Sequence, residues 1–342
     1  MLKLKNLRTL LTGAVVLGIA VAVFLGSSEL SRIAEVIKQA EPLWLMLAIL
    51  PQAGTYYTDA LTYLQTMAML RIKAKLADAF NIALSMEFLN DVTPSFGAAS
   101  NLYLAATLKN RGFNDGQVGL TLMVQSITSF AAFSIALLAA AVYLLTRGEL
   151  STVTAVVSFI FIGAGAIFWT FIFLIFISEK LMLKLMVIAK LAGERFLRKR
   201  FAQQSFVRFV SEVRNGKTAM GQNKRYFLMI VTAKISRFFF EGLTIFILFR
   251  AFNLDVSYEI ASLGFLAAML LSTFSFLPGG IGSFEALMVL TYRSYGVPLE
   301  TAGVVTLAYR VITFWLPMPI GMLAFQRTMS SKADSARDLS AT

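Results

Sequence analysis

Long runs of apolar side chains are the feature that most restricts how this chain folds. A helix needs roughly 20 apolar residues to cross the ~30 Å hydrocarbon core of a bilayer. Six runs are long enough, and 57% of the 342 residues are hydrophobic. They cover residues 10–26, 43–70, 117–145, 153–177, 226–249 and 302–325. The sequence therefore predicts an all-α polytopic membrane protein with six full transmembrane helices.

Two further apolar segments are interrupted by proline and glycine. Residues 76–108 are broken at 91–97 (DVTPSFG), and residues 257–294 are broken at 277–282 (LPGGIG). At 1.5 Å per residue, both halves of the first segment and the second half of the other are too short to span a bilayer. We therefore interpret both segments as re-entrant, broken helical hairpins that return to the side from which they enter.

The distribution of basic residues predicts the orientation. With a cytoplasmic N-terminus and two re-entrant hairpins, 23 of the 31 Lys and Arg lie on the cytoplasmic side, as the positive-inside rule requires. Both termini are then cytoplasmic, in a bacterial-type cytoplasmic (inner) membrane. The basic loop of residues 179–225 is predicted to be amphipathic and to lie on anionic headgroups, and no nucleic-acid partner is expected. Residues 1–328 form a single membrane domain, and residues 329–342 are predicted to be a disordered tail.

The two broken segments align with each other at an offset of 184 residues. This offset matches Pro94 with Pro278, Thr107 with Thr291, Gly112 with Gly296 and Phe130 with Phe314. Each copy consists of a span, a broken hairpin, a short turn with a basic residue and a glycine, and a second span. Because the hairpins are predicted to enter from opposite sides, we expect an inverted repeat, about 43–146 and about 226–328. Transporters with this layout bind their substrates near the midplane, between the repeats.

The breaks are candidate binding positions, because a helix interruption leaves backbone groups that lipid cannot satisfy. The second half-helices are predicted to begin near Gly97 and Gly282. A helix start presents N–H groups and a partial positive charge that suit a phosphate. The alternative is a plain packing contact between glycine-rich turns. The predicted site is a wet, cationic pocket between the two hairpins.

Ionisable residues inside apolar segments are costly in lipid and indicate function. Lys234, Arg237 and Glu241 are spaced to share one helical face. Glu285 follows Gly282 closely enough to cap a half-helix or to pair with Arg310, and Arg310 suits either that pair or a bidentate phosphate contact. Asp59, Asp78, Glu87 and Asp91 are the other ionisable residues of these segments. The candidate headgroup-binding residues are Asp59, Pro94, Gly97, Asn101, Arg237, Glu241, Pro278, Gly279, Gly280, Gly282, Glu285 and Arg310.

The composition argues against most enzymatic chemistry. The chain contains no His and no Cys, the commonest side chains for general base, thiolate and metal-ligand roles. It also lacks the G-x-x-x-x-G-K-[ST] pattern of a phosphate-binding loop, so ATP hydrolysis through such a loop is not expected. We therefore predict no catalytic residue, no metal and no cofactor.

The C-terminal third carries a motif of a known family. Residues 276–285 read FLPGGIGSFE, and Gly296-Val-Pro298 and Tyr309-Arg310 follow. This combination resembles the lysylphosphatidylglycerol synthase transmembrane-region, or flippase-like, integral membrane proteins, over roughly residues 10–328. The motif residues that match by position are Pro278, Gly279, Gly280, Gly282, Glu285 and Arg310. The first repeat departs from the family pattern, because residues 94–101 (PSFGAASN) lack the Glu and the Arg that family members often carry there. This departure indicates a different substrate or a lost activity.

The resemblance implies a lipid flippase that moves the headgroup of a phospholipid or of a polyprenyl-linked glycolipid. No soluble aminoacyl-transferase domain follows residue 328, so this chain is not expected to make lysylphosphatidylglycerol itself. One alternative is a non-catalytic membrane partner of a lipid-modifying or glycosyltransferase enzyme. Another is a secondary transporter for a small anion, and the sequence is compatible with an oligomer.

Overall fold

The computed structural model describes residues 40–70, 72–93, 97–148, 223–272 and 277–338, with a few isolated positions between 149 and 222. The predicted span at 10–26 lies outside the described residues, and so do nearly all of the predicted span at 153–177 and of the basic loop of residues 179–225. Every regular element in the described ranges is helical, which confirms the all-α prediction. In chain order the helices are α1 Pro42–Met69, α2 Leu76–Val92, α3 Ala98–Asn110, α4 Asp115–Arg147, α5 Lys224–Ala251, α6 Tyr258–Ser272, α7 Ser283–Ser294, α8 Leu299–Arg310 and α9 Pro317–Asp338.

Two stretches of the described chain are both long and apolar enough to cross a membrane. They are α4 and the nearly continuous helix of residues 299–328, which includes α8 and most of α9. Helices α1 and α5 have 28 residues each, which is sufficient length, but their mean hydropathy is lowered by polar and charged side chains. Many of these polar side chains are buried between helices, so they make their contacts inside the protein.

Helices α1 and α5 pack against each other along their whole lengths and run antiparallel. At one end the Glu41 N–H donates to the Ala251 carbonyl at 2.9 Å. At the other end Met69 and Ile230 lie in the same apolar cluster. The segment that follows α1 therefore starts at one end of the molecule, and the segment that follows α5 starts at the opposite end.

Both predicted helix breaks are present. Helix α2 ends at Val92, and α3 begins after Gly97, whose φ of +79° belongs to the left-handed region. A 3₁₀ turn, Pro278–Gly280, lies just before α7, in the predicted second break. Helices α6 and α7 lie side by side, and the Tyr292 hydroxyl near the end of α7 donates to the Ala261 carbonyl near the start of α6. The second broken segment is therefore an antiparallel helical hairpin.

The two breaks meet in the middle of the molecule. Gly279, in the 3₁₀ turn, packs so closely on α2 that a Cβ atom there would lie 3.1 Å from the Asp91 carbonyl oxygen. Asp91 is the penultimate residue of α2. The tips of two segments that start from opposite ends of the molecule are thus in contact.

The turns after α3 and α7 have the same geometry and the register of the sequence repeat. Gly112 and Gly296 follow the two helices with φ of +86° and +82°. In each turn an N–H donates to a carbonyl five residues earlier, a bond typical of a Schellman helix end. The two bonds are Phe113 N–H to Leu108 O and Val297 N–H to Tyr292 O, both 3.2 Å long. Each pair of equivalent residues is 184 positions apart, so the match extends to backbone conformation.

The helix of residues 299–338 contains a π turn at Val311–Trp315, just after Arg310. The Leu316 N–H donates to the Val311 carbonyl, five residues earlier, at 2.8 Å. Pro317 has no N–H to continue the regular ladder, and this accounts for the widened turn before it. Such turns occur often at functional sites.

The C-terminal tail differs from its prediction. Helix α9 continues to Asp338, so residues 329–338 are helical and the prediction of a disordered tail from residue 329 is wrong for them. The reason is local, because residues 320–338 contain no proline and their only glycine, Gly321, lies one turn into the helix. Nothing in the sequence after Gly321 therefore ends the helix at 328.

Candidate functional site

A buried network of charged side chains is centred on Arg237, halfway along α5. The guanidinium donates through Nη1 to Asp59 Oδ2 of α1 at 2.8 Å, and through Nη2 to Glu87 Oε1 of α2 at 2.7 Å. Glu241, one turn further along α5, lies 3.8 Å from Nη2. Lys234, one turn before Arg237, lies 3.6 Å from Asp59 Oδ1. We call these five residues the midplane network, because each lies well inside its helix.

The midplane network extends to α8 through Tyr309. The Tyr309 hydroxyl donates to Glu241 Oε2 at 2.8 Å. The Tyr309 ring stacks on Phe284 of α7, with ring planes 10° apart. The network therefore joins α1, α2, α5 and α8, and it rests on the second hairpin.

Arg310, the residue after Tyr309, makes three contacts that hold the tip of the second hairpin in place. Its Nη2 donates to the Gly279 carbonyl at 2.9 Å, and its Nε forms an ion pair with Glu285. The guanidinium also lies over the Phe314 ring, 4.3 Å from the ring centroid. Arg310 is only 6% exposed. The pair with Glu285 is one of the two roles predicted for Arg310.

Glu285 fulfils both of its predicted structural roles. One carboxylate oxygen pairs with Arg310, and the other accepts the Gly282 N–H at 2.5 Å. Gly282 precedes the first residue of α7 and has a φ of +83°. The first N–H group at this helix start, which we expected to be open to a phosphate, is thus occupied by a carboxylate of the protein itself.

The close fit of Gly279 gives a prediction with two internal controls. Gly279→Ala combines a left-handed φ of +57° with a clash of the new Cβ against the Phe314 ring. Gly282→Ala has a similar φ but open space around it, and Gly303→Ala in α8 has neither problem. We expect Gly279→Ala to lower the free energy of unfolding by about 2–4 kcal/mol, Gly282→Ala by about 1–2 kcal/mol, and Gly303→Ala to raise it slightly. Thermal unfolding in detergent measures the order, and equal effects for the first two variants would contradict the close contact.

The break between α2 and α3, which we call the first tip, is polar and open to its surroundings. Asn90 and Asn101 are exposed, and both side-chain amides lie about 4 Å from where a Cβ on Gly97 would be. The Glu87 side chain is 27% exposed while its carboxylate binds Arg237. Pro94 lies outside the described residues. Polar groups therefore reach the protein surface at the level of the midplane network.

The charge balance corrects one expectation. The described residues around the two helix breaks and the midplane network include five carboxylates and three cations, which leaves a surplus of two negative charges. The carboxylates are Asp59, Glu87, Asp91, Glu241 and Glu285, and the cations are Lys234, Arg237 and Arg310. The described part of the centre is therefore acidic rather than cationic, because each cation that the sequence offers is matched or outnumbered by carboxylates from neighbouring helices.

The structure places the predicted residues in three adjoining groups. Asp59, Arg237 and Glu241 belong to the midplane network. The first tip contains Gly97 and Asn101. The second tip and the side chains that hold it in place are Pro278, Gly279, Gly280, Gly282, Glu285 and Arg310. Four residues outside the predicted set also belong to the site: Glu87, Asp91, Lys234 and Tyr309. The three charged ones were already identified from the sequence as ionisable residues inside apolar segments, although not as candidate headgroup-binding residues. No cluster suited to a metal ion occurs among the described residues.

Comparison with known proteins gives consistent matches. Residues 10–321 match the family described as Lysylphosphatidylglycerol synthase TM region. A UPF0104 membrane protein of Methanocaldococcus jannaschii is 23% identical over 310 residues, which is 90% of this chain and 90% of that protein. A UPF0104 membrane protein of Methanothermobacter thermautotrophicus is 36% identical over 83 residues, 24% of this chain and 25% of that protein.

Proposed function

Because the chain belongs to the Lysylphosphatidylglycerol synthase TM region family, we propose that it is a lipid flippase of the cytoplasmic membrane. In this proposal the polar headgroup of a phospholipid or of a polyprenyl-linked glycolipid passes between the two hairpin tips. The acyl or prenyl chains stay in the surrounding lipid. Both chain termini lie on the cytoplasmic side, and the protein acts as a transporter rather than as an enzyme.

One observation carries the proposal: polar side chains are exposed at the depth of a buried charge network. Asn90 near the end of α2 and Asn101 near the start of α3 are exposed, and so is part of Glu87, which binds Arg237 halfway along α5. Hydrocarbon cannot satisfy such groups, so they must face water or a polar ligand. A headgroup that crosses the membrane needs polar surroundings at this depth, whereas a purely structural helix bundle does not.

The contact between the tips suggests how a headgroup pathway is closed. Gly279 lies against the Asp91 backbone and the Phe314 ring, so the two hairpins leave no space between them at this point. The tip of the second hairpin is held by Arg310, which binds both the Gly279 carbonyl and Glu285. Separation of the tips would open a path lined by the midplane network on one side and by Asn90 and Asn101 on the other.

The test of the proposed function compares two asparagines of the same half-helix. Asn101 lies at the first tip and Asn110 at the far end of α3, and both are exposed. We expect Asn101→Leu to slow lipid exchange by about tenfold or more, the effect of losing one hydrogen bond to a charged group. Asn110→Leu should exchange lipids at the wild-type rate. The measurement is leaflet exchange of fluorescent phosphatidylglycerol in proteoliposomes, with a membrane-impermeant quencher.

The result also separates the alternatives. Equal exchange by the two variants would remove the first tip from the pathway. If wild-type protein exchanges no lipid but copurifies with a lipid-modifying or glycosyltransferase enzyme in a fixed ratio, the membrane-partner alternative is correct instead. Saturable uptake of a small anion without lipid exchange would identify a secondary transporter.

A further inference from the structure

We propose that the centre of this protein binds two exchangeable protons, one on Glu241 and one on Asp91, and that an anionic lipid headgroup moves together with them. The proposal rests on the proposed lipid transport for its second half only. The proton sites follow from the charges and contacts of the described residues.

The described part of the centre contains two more carboxylates than cations. Charged groups inside a membrane are tolerated when they are paired or wetted. The ion pairs show which carboxylates carry the surplus negative charge. Arg310 and Glu285 balance each other, while Arg237 and Lys234 together face Asp59, Glu87 and Glu241. One surplus charge therefore belongs to the midplane network, and Asp91 supplies the other.

Within the midplane network Glu241 is the carboxylate with the weakest ion pair. Asp59 and Glu87 bind the two terminal nitrogens of Arg237 at 2.8 and 2.7 Å, whereas Glu241 Oε1 is 3.8 Å from Nη2. Glu241 is also 3% exposed, so water contributes little to its solvation. The Tyr309 hydroxyl occupies Oε2. A proton on Oε1 removes the uncompensated charge and leaves every short contact of the network in place.

Asp91 has no ion pair or hydrogen bond within the part of the chain that the structure describes. It follows Glu87 by one helical turn, so the two carboxylates share a face of α2. It also lies in the last turn of α2, where the helix dipole is negative. The nearest positive charges, Arg237 and Arg310, both have closer carboxylate partners. A proton is the smallest ligand that neutralises Asp91 here.

Charged and titratable groups from each neighbouring helix act on the two sites. Glu241 interacts electrostatically with Arg237 on its own helix, with Asp59 and Tyr56 of α1, with Glu87 and Asp91 of α2, and with Tyr309 of α8. Asp91 interacts electrostatically with Glu87 on its own helix, with Tyr56 of α1, with Arg237 and Glu241 of α5, and with Arg310 of α8. The two proton sites therefore lie in one electrostatic unit with both arginines.

This arrangement links proton binding to the charge of the headgroup. With both carboxylates ionised, the surplus of two negative charges repels a phosphate. Each carboxylate accepts one proton from the aqueous side that the site faces, and the centre then has no net charge. Neutral Glu241 no longer attracts Arg237 Nη2, so this nitrogen is available to a phosphate oxygen. Both protons leave to water on the opposite side when the headgroup leaves. Protons and anionic headgroup therefore travel in the same direction.

Infrared spectroscopy tests the proton sites without any lipid substrate. Purified wild-type protein in detergent should show the C=O stretch of protonated carboxyl groups at about pH 5 and should lose it as the pH rises to about pH 8, a range in which ordinary exposed carboxylates stay ionised. We expect Asp91→Asn and Glu241→Gln each to lack part of this change. Asp255→Asn, an exposed carboxylate that pairs with Arg250, should keep all of it. If both variants at the centre keep the full wild-type change, the proposed sites are wrong.

Lipid exchange at different pH values tests the link to transport. Between about pH 5 and pH 8, exchange of fluorescent phosphatidylglycerol by wild-type protein should become faster as the pH falls, by up to about tenfold per pH unit for each proton. Asp91→Asn and Glu241→Gln should flatten this profile, Asp91→Glu should restore it, and Asp255→Asn should not change it. Exchange that follows Na⁺ concentration at constant pH would overturn the proposal. If wild-type protein exchanges no lipid at all, the proposed function fails, and the infrared result still decides whether protons bind.

Discussion

Replacing Arg237 with alanine is expected to lower the free energy of unfolding by about 3–5 kcal/mol, the usual cost of removing one partner from a buried ion pair. The reason is the sharing of its guanidinium by carboxylates from three helices. Without it, Asp59, Glu87 and Glu241 face each other with only Lys234 as a counter-ion. This is one of the two largest effects we expect from a single substitution in the described part of the chain.

A matched control lies on the same helix. Arg250 of α5 pairs with Asp255 at 2.7 Å, a distance equal to that between Arg237 and Glu87. The two side chains of the control pair are 36% and 88% exposed. An exposed pair of this kind contributes about 0–1 kcal/mol. Thermal and denaturant unfolding in detergent should therefore separate Arg237→Ala clearly from Arg250→Ala.

A second substitution distinguishes lost charge balance from lost packing. If the missing counter-ion causes the loss, Asp59→Asn should recover part of the stability in the Arg237→Ala background, because it removes one of the charges left behind. In the wild-type background the same Asp59→Asn change should be destabilising. A loss in the double variant equal to the sum of the single losses, or a loss in Arg237→Ala no greater than in Arg250→Ala, would contradict the role of the network.

The sequence predicted the helix breaks well because they depend on local chemistry. Proline and glycine interrupt a helix wherever they occur, so Pro278, Gly279 and Gly282 located the second break from composition alone. The repeat with its offset of 184 residues could be found in the sequence for the same reason, since Gly112 and Gly296 each end a half-helix with the same left-handed turn. Helix α9 was predicted less well, because weak polar composition after residue 328 does not by itself end a helix.

The partners of each charge could not be predicted in the same way. The spacing of Lys234, Arg237 and Glu241 indicated one helical face, and this was correct. It could not show that Glu87 binds Arg237, because Glu87 is 150 residues away and contact depends on how α2 packs against α5. The cationic character expected for the pocket was wrong for the same reason. Charges on separate helices add up only after the helices are in place.

Replacing Arg310 is expected to release the tip of the second hairpin. Arg310 performs three contacts at once: it donates to the Gly279 carbonyl, pairs with Glu285 and lies over Phe314. Alanine loses all three and leaves Glu285 buried without its counter-ion, at a cost of about 3–5 kcal/mol. Lysine keeps the charge, but it lacks the planar fork that serves two acceptors and stacks on a ring. We therefore expect Arg310→Lys to lie nearer to Arg310→Ala than to wild type.

Cysteine labelling can measure release of the tip directly, because the chain contains no native cysteine. Ile281, next to Gly280 in the second tip, is 4% exposed and packs with Phe314. A maleimide should label Ile281→Cys slowly in the Arg310 background. If loss of the fastening lowers the cost of local opening by about 1.4 kcal/mol, labelling becomes about tenfold faster. Glu300→Cys, which is exposed at the start of α8, should react at the same rate in both backgrounds.

The combination of stability and labelling decides what Arg310 does. If Arg310 holds the second tip in place, Ile281→Cys should be labelled faster in both the Arg310→Ala and the Arg310→Lys backgrounds. In the Arg310→Ala background, Glu285→Gln should recover stability, because it removes the buried charge, but labelling should stay fast, because the Gly279 carbonyl still lacks its donor. If stability falls while the labelling rate of Ile281→Cys does not change, Arg310 supports the fold as a whole and does not hold the tip.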